Sequence, residues 1–211
     1  GEAYNTDPEW ATAEYGAEFR ADLEGLLRLE AVQACIDSGI RERPPSPSHE
    51  YTAFCDPSGG SADPMTLGIA HKDGTTVILD ALREVRPPFN PEATTLEFAD
   101  VLRRYRIAKV NGDRYGGEWV TDAFRKAGIY YAPSEKVKSQ LYLDLLPLVN
   151  ATACVLLDDD RLVRQLISLE RRTGRGTGRD TIDHPPGAHD DLANAAAGAL
   201  APWSKTRRAI A

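Results

Sequence analysis

The sequence predicts an α/β fold in which a mixed sheet, three antiparallel strands followed by parallel ones, is flanked by helices. Three observations predict it. Residues 51–82 hold three short apolar runs, two of them joined by Lys72-Asp73-Gly74, an Asp-Gly turn suited to a hairpin. Beyond Pro87-Pro88, apolar residues at helical spacing alternate with short strand-like runs, the pattern that builds parallel pairing. Last, residues 190–201 form an alanine-rich stretch whose side chains are small enough for a helix to lie close on a sheet.

Each element arises from local signals. In residues 8–39, Phe19, Leu23, Leu26, Leu27 and Leu29 recur near helical spacing, and an apolar-rich pattern runs on to Gly39. This segment is expected to be helical and separate from the main domain. Residues 41–50 (RERPPSPSHE) carry three prolines and two serines, which cannot propagate a helix and read as an extended linker. The boundary of the main domain is therefore expected near Glu50, with residues 1–50 as connecting segment and linker and residues 51–211 as the domain. Residues 51–55 form a strand ending in Asp56, and Pro57-Ser58-Gly59-Gly60 forces a turn. Residues 65–71 and 76–82 complete a three-strand meander. Pro91 opens a helix carrying Leu96, Phe98, Ala99, Val101 and Leu102. A strand over 107–110 leads into Asn111-Gly112-Asp113, and a helix over 117–127 is closed by Gly128. A strand at 129–132, a helix at 136–148, a strand at 153–157 and a helix at 162–169 continue the alternation. Residues 173–183 are a glycine- and arginine-rich excursion, read as a loop or hairpin tip, and residues 190–201 are the closing helix.

Bulk composition narrows the function classes. A chain of 211 residues can build one well-cored domain, and 42% hydrophobic with 27% charged residues is ordinary for a globular protein. No apolar run approaches the roughly 20 residues that span a bilayer, and no signal-like N-terminus is seen, so no membrane partner is expected. Cys35, Cys55 and Cys154 are isolated and odd in number, and read as small buried residues of a reducing compartment. The net charge of -7 weighs against a nucleic-acid partner. It is unevenly spread, however: Arg161, Arg164, Arg171, Arg172, Arg175 and Arg179 face only Glu170 in their stretch.

The candidate chemistry is carboxylate chemistry. Asp56 and Asp113 each come after a short apolar run and precede a glycine-containing turn. In open α/β sheets ligands bind beyond the carboxyl ends of strands, so the two converge if their strands are neighbours. Taken singly, each is as well explained as a cap of the adjoining turn. The third element, Asp190-Asp191, opens the alanine-rich helix, where acids also compensate the helix dipole. Three or four carboxylates in one place repel one another unless cations neutralise them. Hard divalent ions such as Mg²⁺ or Mn²⁺ suit all-oxygen ligands, and two ions roughly 3.5–4 Å apart can clamp a phosphodiester.

Three stretches carry a family resemblance: Ala53-Phe54-Cys55-Asp56-Pro57-Ser58-Gly59-Gly60, Asn111-Gly112-Asp113-Arg114-Tyr115-Gly116-Gly117, and Gly187-Ala188-His189-Asp190-Asp191-Leu192-Ala193-Asn194-Ala195. In order and separation they resemble the nuclease domain of the large terminase subunit of tailed bacteriophages, which has an RNase H-like fold. The resemblance covers about residues 51–200. It implies that Asp56 bridges two Mg²⁺ or Mn²⁺ ions, that Asp113 binds one, and that Asp190 or Asp191, with Asp190 preferred, binds the other. It implies a metal-dependent endonuclease that cuts double-stranded phage DNA during genome packaging, leaving 5′-phosphate and 3′-hydroxyl ends, in the cytoplasm of the infected bacterium. The implied partners are DNA, a packaging ATPase domain, the small terminase subunit and the portal. No phosphate-binding G-x-x-x-x-G-K-[ST] loop occurs, so residues 1–50 are expected to be the tail of an ATPase that lies outside this chain.

Arg171, Arg172, Arg175 and Arg179 are candidate DNA contacts, since the guanidinium fork matches phosphate oxygens. His189 is a candidate for tuning the metal site or touching a phosphate. Lys136 and Lys138 form a weaker phosphate patch. Trp119 and Phe124 are expected to pack in the core or an interface, and His71 and His184 to be structural or surface residues. Two rival readings are an actin-like phosphotransferase, using the Pro57-Ser58-Gly59-Gly60 turn, and a non-catalytic DNA-binding or packaging-motor assembly module. The first lacks a second lobe and a second glycine-rich loop, and clustered acids are of no use to the second. An iron site from His184, His189 and Asp190 is set back by the intervening Pro185-Pro186-Gly187.

Overall fold

A computed structural model of the chain describes residues 23–114, 117–173 and 180–204. The chain enters through strand β1 (Leu23–Gly25), the short helix α1 (Leu29–Gln33) and the two-residue strand β2 (Ile36–Asp37). Next is the meander of β3 (Tyr51–Asp56), β4 (Met65–Asp73) and β5 (Thr76–Val85). Then come α2 (Pro91–Arg104), β6 (Lys109–Gly112), α3 (Gly117–Lys126), β7 (Tyr130–Pro133), α4 (Lys138–Asn150), β8 (Cys154–Leu157) and α5 (Asp160–Ile167). A hairpin, β9 (Glu170–Thr173) and β10 (Asp180–Asp183), leads to the closing helix α6 (Asp191–Leu200).

Among the described residues the main sheet has seven strands in the order β2-β8-β5-β4-β3-β6-β7. β3, β4 and β5 pair antiparallel, whereas β6 and β7 run parallel on one side and β8 and β2 parallel on the other. This is the expected mixed sheet of three antiparallel strands followed by parallel ones, widened at its edge by β2. A second, three-stranded antiparallel sheet is made of β1, β9 and β10.

Helix starts obey their local chemistry. Asn90 caps α2 by accepting from the backbone N–H of Glu92 and Ala93 at 2.9 and 3.1 Å, with Pro91 preset for the first turn. Asp159 caps α5 in the same way through Arg161 and Leu162. Apolar side chains fill both faces of the sheet. Phe98, Leu102, Val120 and Phe124 pack on one face, and Tyr142, Leu145, Leu156, Leu166 and Ala196 on the other. Burying each large side chain contributes about 1.5–3 kcal/mol.

Three expectations depart from the structure here. The stretch read as one helix over 8–39 is, for residues 23–39, a strand, a helical turn and another strand; residues 8–22 lie outside the described residues. Nor is this part separate. Leu27, Val32 and Cys35 are buried in the core, Leu26 N–H donates to Leu169 O at 2.8 Å, and β2 completes the edge of the main sheet. Leucines spaced three or four apart fit a short helical turn as well as a long helix, and Gly25 interrupts the longer one. The strand expected at 107–110 begins two residues later, at Lys109.

Candidate active site

Asp56 is the last residue of β3, and β6 lies parallel beside it, with Phe54 opposite Asn111 and Cys55 opposite Gly112. The same register sets Asp113 next to Asp56, and Asp113 N–H donates to Cys55 O at 3.3 Å. The two acids therefore leave the carboxyl ends of neighbouring parallel strands, as the spacing predicts. Tyr131 on β7 fixes the turn from beyond, its hydroxyl donating to Asp113 O at 2.7 Å.

The third wall is helix α6, buried along its whole length. Its seat on the sheet depends on two glycines. A Cβ on Gly68 would lie 2.4 Å from Ala195 O, and one on Gly198 would lie 2.1 Å from the Phe54 ring. With hydrogen at both places, the helix meets β3 and β4 directly and its first turn arrives beside Asp56. Thr66 donates its hydroxyl to Asp191 O at 2.9 Å, and Asn194 Nδ2 donates to Asp56 Oδ2 at 2.7 Å. Asp56, Asp113, Asp190 and Asp191 thus line a single cleft of about 660 Å³.

The four acids are not equivalent. Burial pushes the Asp56 carboxyl up to about 7, against the Asn194 hydrogen bond and with help from the charges of Asp191, Asp113 and Asp190. Burial also lifts Asp191 to about 6; its own backbone N–H and His189 oppose this, while Asp190 and Asp63 add to it. Asp191 Oδ2 is buried and accepts no hydrogen bond, with His189 Nδ1 3.6 Å away. Asn194 Oδ1, one turn on, is likewise buried and unbonded. Two orphaned acceptors beside a carboxyl that resists ionisation form a donor set suited to a hard cation.

Asp190, by contrast, is saturated. Lys138 Nζ lies 3.2 and 3.0 Å from its two oxygens, and the Tyr142 hydroxyl donates to Oδ2 at 2.7 Å. It holds the N-cap position of α6, yet its side chain caps nothing, unlike Asn90 and Asp159. Simple capping therefore does not account for it. Lys138 and Tyr142 stand four apart on α4, so one helix face delivers both to the same carboxylate.

Other cleft residues are Asp63, Arg114, Lys136, His184 and His189. Arg114 is braced by Ser134 O and Glu135 O at 2.5 and 2.7 Å, and Lys136 pairs with Asp144. His184, expected to be merely structural or superficial, lines the cleft, while His71 is buried against Asp80 far from it. Arg171 and Arg172 lie on β9 and do not line the cleft; Arg172 pairs with Glu170 at 3.2 Å. Arg175 and Arg179 lie outside the described residues. Phe124 is buried as expected, but Trp119 is exposed at 38%. Asp63 and Tyr142 carry no functional signal in the sequence, and Asn194, though inside the third resembling stretch, shows none of its link to Asp56, which depends on long-range packing.

Neither a family model nor a curated protein matches the chain. Solved structures do match it. The large terminase nuclease from thermophilic phage G20c superposes with a TM-score of 0.69 at 18% identity, covering 81% of this chain and 95% of that one. The fold is that of a terminase nuclease domain. The nuclease domain of the Thermus phage P74-26 large terminase gives a TM-score of 0.69 at 16% identity, covering 87% of this chain and 97% of that one. Against the HK97 bacteriophage large terminase the TM-score is 0.67 at 10% identity, covering 85% of this chain and 44% of that longer one. The G20c nuclease has also been solved with bound magnesium, cobalt and zinc. Among the described residues no helix is long and apolar enough to cross a membrane.

Proposed function

We propose that the chain is a divalent-metal-dependent endodeoxyribonuclease that cuts double-stranded DNA in phage genome packaging. The carrying observation is the convergence of Asp56, Asp113 and Asp191 in one cleft, with the Asp191 Oδ2 acceptor left buried and unbonded. The terminase-nuclease fold and the bound metals of the G20c structures support the same reading.

On this reading Asp56, Asp113 and Asp191 hold two Mg²⁺ or Mn²⁺ ions. Asp191 replaces the Asp190 preferred from sequence, because both Asp190 oxygens already accept from Lys138 and one also from Tyr142. When bound, the ions supply a Lewis acid for hydrolysis of the phosphodiester. The chain's own contribution is to orient and to exchange protons. Asn194 fixes the Asp56 carboxyl, and the raised Asp56 and Asp191 carboxyls would give up their protons to hold cations. Arg114, Lys136 and His189 offer positive or hydrogen-bonding groups on the cleft wall, where a DNA backbone would run. On the same reading a packaging ATPase domain, the small terminase subunit and the portal are its partners in the infected cell.

Nicking of supercoiled plasmid in Mn²⁺ or Mg²⁺, blocked by EDTA, tests the proposal. Asp56→Ala is expected to abolish nicking while retaining the native circular dichroism spectrum. Undiminished nicking by that variant, purified free of host nuclease, contradicts it.

A further inference from the structure

We propose that Lys138 is a built-in counter-cation that keeps divalent metal off a second ligand set, Asp183, His184 and Asp190. Ions are thereby confined to the adjoining Asp56–Asp113–Asp191 cluster. The inference rests on the proposed metal-dependent function, but concerns a different set of atoms.

Ligand atoms of Asp183, His184 and Asp190 all lie within 4.8 Å of one another. The histidine is oriented as a metal ligand is. Its Nδ1 is 2.8 Å from the Pro185 carbonyl oxygen, which can only accept, so Nδ1 carries the proton. Nε2 then faces the carboxylates, 3.8 Å from Asp183 Oδ1 and 3.8 Å from Asp190 Oδ1. A backbone carbonyl that fixes the tautomer of a ligating imidazole is a recurrent feature of metal centres.

The cation position is nevertheless taken. Lys138 Nζ stands 3.0 Å from Asp183 Oδ1 and 3.0 Å from Asp190 Oδ2, tethered to the first turn of α4. Ser139, the next residue, fastens that turn to β10: its hydroxyl donates to Ile182 O at 3.2 Å and accepts from Ile182 N–H at 3.0 Å. An ammonium ion and a divalent ion cannot share these oxygens at ligand distance. The imidazole also makes the guarded set selective in the wrong direction, towards zinc-like ions, whereas the neighbouring all-oxygen cluster suits Mg²⁺ or Mn²⁺. Lys138 is thus a positioning residue, holding Asp190 out of the metal shell and leaving its neighbour Asp191 to serve.

Zn²⁺ titration of the purified full chain by calorimetry, without DNA, reads this directly. Lys138→Met and Lys138→Gln should each bind about one more equivalent than wild type, as a newly opened His–carboxylate site would. Lys138→Arg, which keeps the charge, should bind the wild-type number. Adding His184→Gln to Lys138→Met should remove the extra equivalent. Equal Zn²⁺ counts in wild type and both neutral variants, with native circular dichroism, overturn the proposal, as does an extra ion indifferent to His184→Gln. If the wild-type chain binds no Mn²⁺ at Asp56, the nuclease reading fails, while the Zn²⁺ difference still decides the role of Lys138.

Discussion

Near the two ends of strand β3 stand two acids, Asp80 buried on β5 and Asp56 half-buried at its own last position, and they are treated in opposite ways. Beside its first residue, Tyr51, lies His71, whose Nδ1 is 2.7 Å from the carboxylate of Asp80 on β5. His49 stacks on His71 at 4.1 Å, and Arg43 reaches the same corner, donating to Leu79 O at 2.7 Å. Burial raises the Asp80 carboxyl, and His71, Arg43 and His49 pull it back. At the far end, Asp56 has the Asn194 amide and three further acids around it. A buried acid supplied with cationic partners belongs to the architecture. One surrounded by other acids is, on the proposed function, the place for a cation from outside.

The largest expected difference is in catalysis. Asp191→Asn should reduce Mn²⁺-dependent nicking by about 100-fold or more, the scale at which losses in a metal's coordination environment register. Asp80→Asn should leave the nicking rate per folded molecule within about 3-fold, far below that scale. Equal losses in the two variants would erase the contrast between the ends.

Stability should respond the other way. Asp80→Ala strands His71 in the interior and should cost about 3 kcal/mol in urea unfolding. Asp56→Asn, measured at pH 8 in EDTA, should instead stabilise by about 1 kcal/mol, since it removes a charge held among like charges. A destabilised Asp56→Asn would mean that the cleft already balances its own charge.

Between these in size stands Gly198→Ala, whose methyl group would run into the Phe54 ring. It should cost about 2 kcal/mol and weaken Mn²⁺ binding, because α6 must shift to relieve the overlap. Normal stability with normal binding would show that the close seat of the helix is dispensable.

The pH dependence sharpens the same contrast. Asp56 at about 7 and Asp191 at about 6 are raised above their unfolded values. Their contribution is therefore fully present below about pH 4 and is lost as pH rises through about 6 to 7. In EDTA, stability should fall by on the order of 1–3 kcal/mol across that window. Mn²⁺, which binds the ionised forms, should restore it, with affinity rising over the same window. A metal-free stability profile flat from pH 5 to pH 8 would contradict the cause assigned to the raised carboxyls. The smallest effect should come from Lys136→Ala, which should lower the salt slope of DNA binding by at most about 0.9, because Asp144 already engages this lysine.

Much of this architecture is legible in residue order. The meander, its Asp-Gly turn, the helix opened by Pro91 and the alanine-rich last helix are local signals, and each forms where expected. The entry segment departs from its expected helix because three or four leucines cannot distinguish a long helix from short pieces held by β8 and β9. Asp56 and Asp113 are legible because strand ends in a parallel pair are determined by local pattern. The choice between Asp190 and Asp191 is not. It depends on Lys138 and Tyr142, some fifty positions earlier, reaching back across the cleft. Asn194 is invisible as a partner of Asp56 for the same reason, since only the close seat of α6 on Gly68 brings them together.

A crystal soaked in Mn²⁺ and measured at the manganese absorption edge tests the central claim most directly. The account predicts anomalous density within the cleft touching Asp56, Asp113 and Asp191, with Asp190 still bound to Lys138 and Tyr142. Density on Asp183, His184 and Asp190, with Asp56 bare, would contradict it.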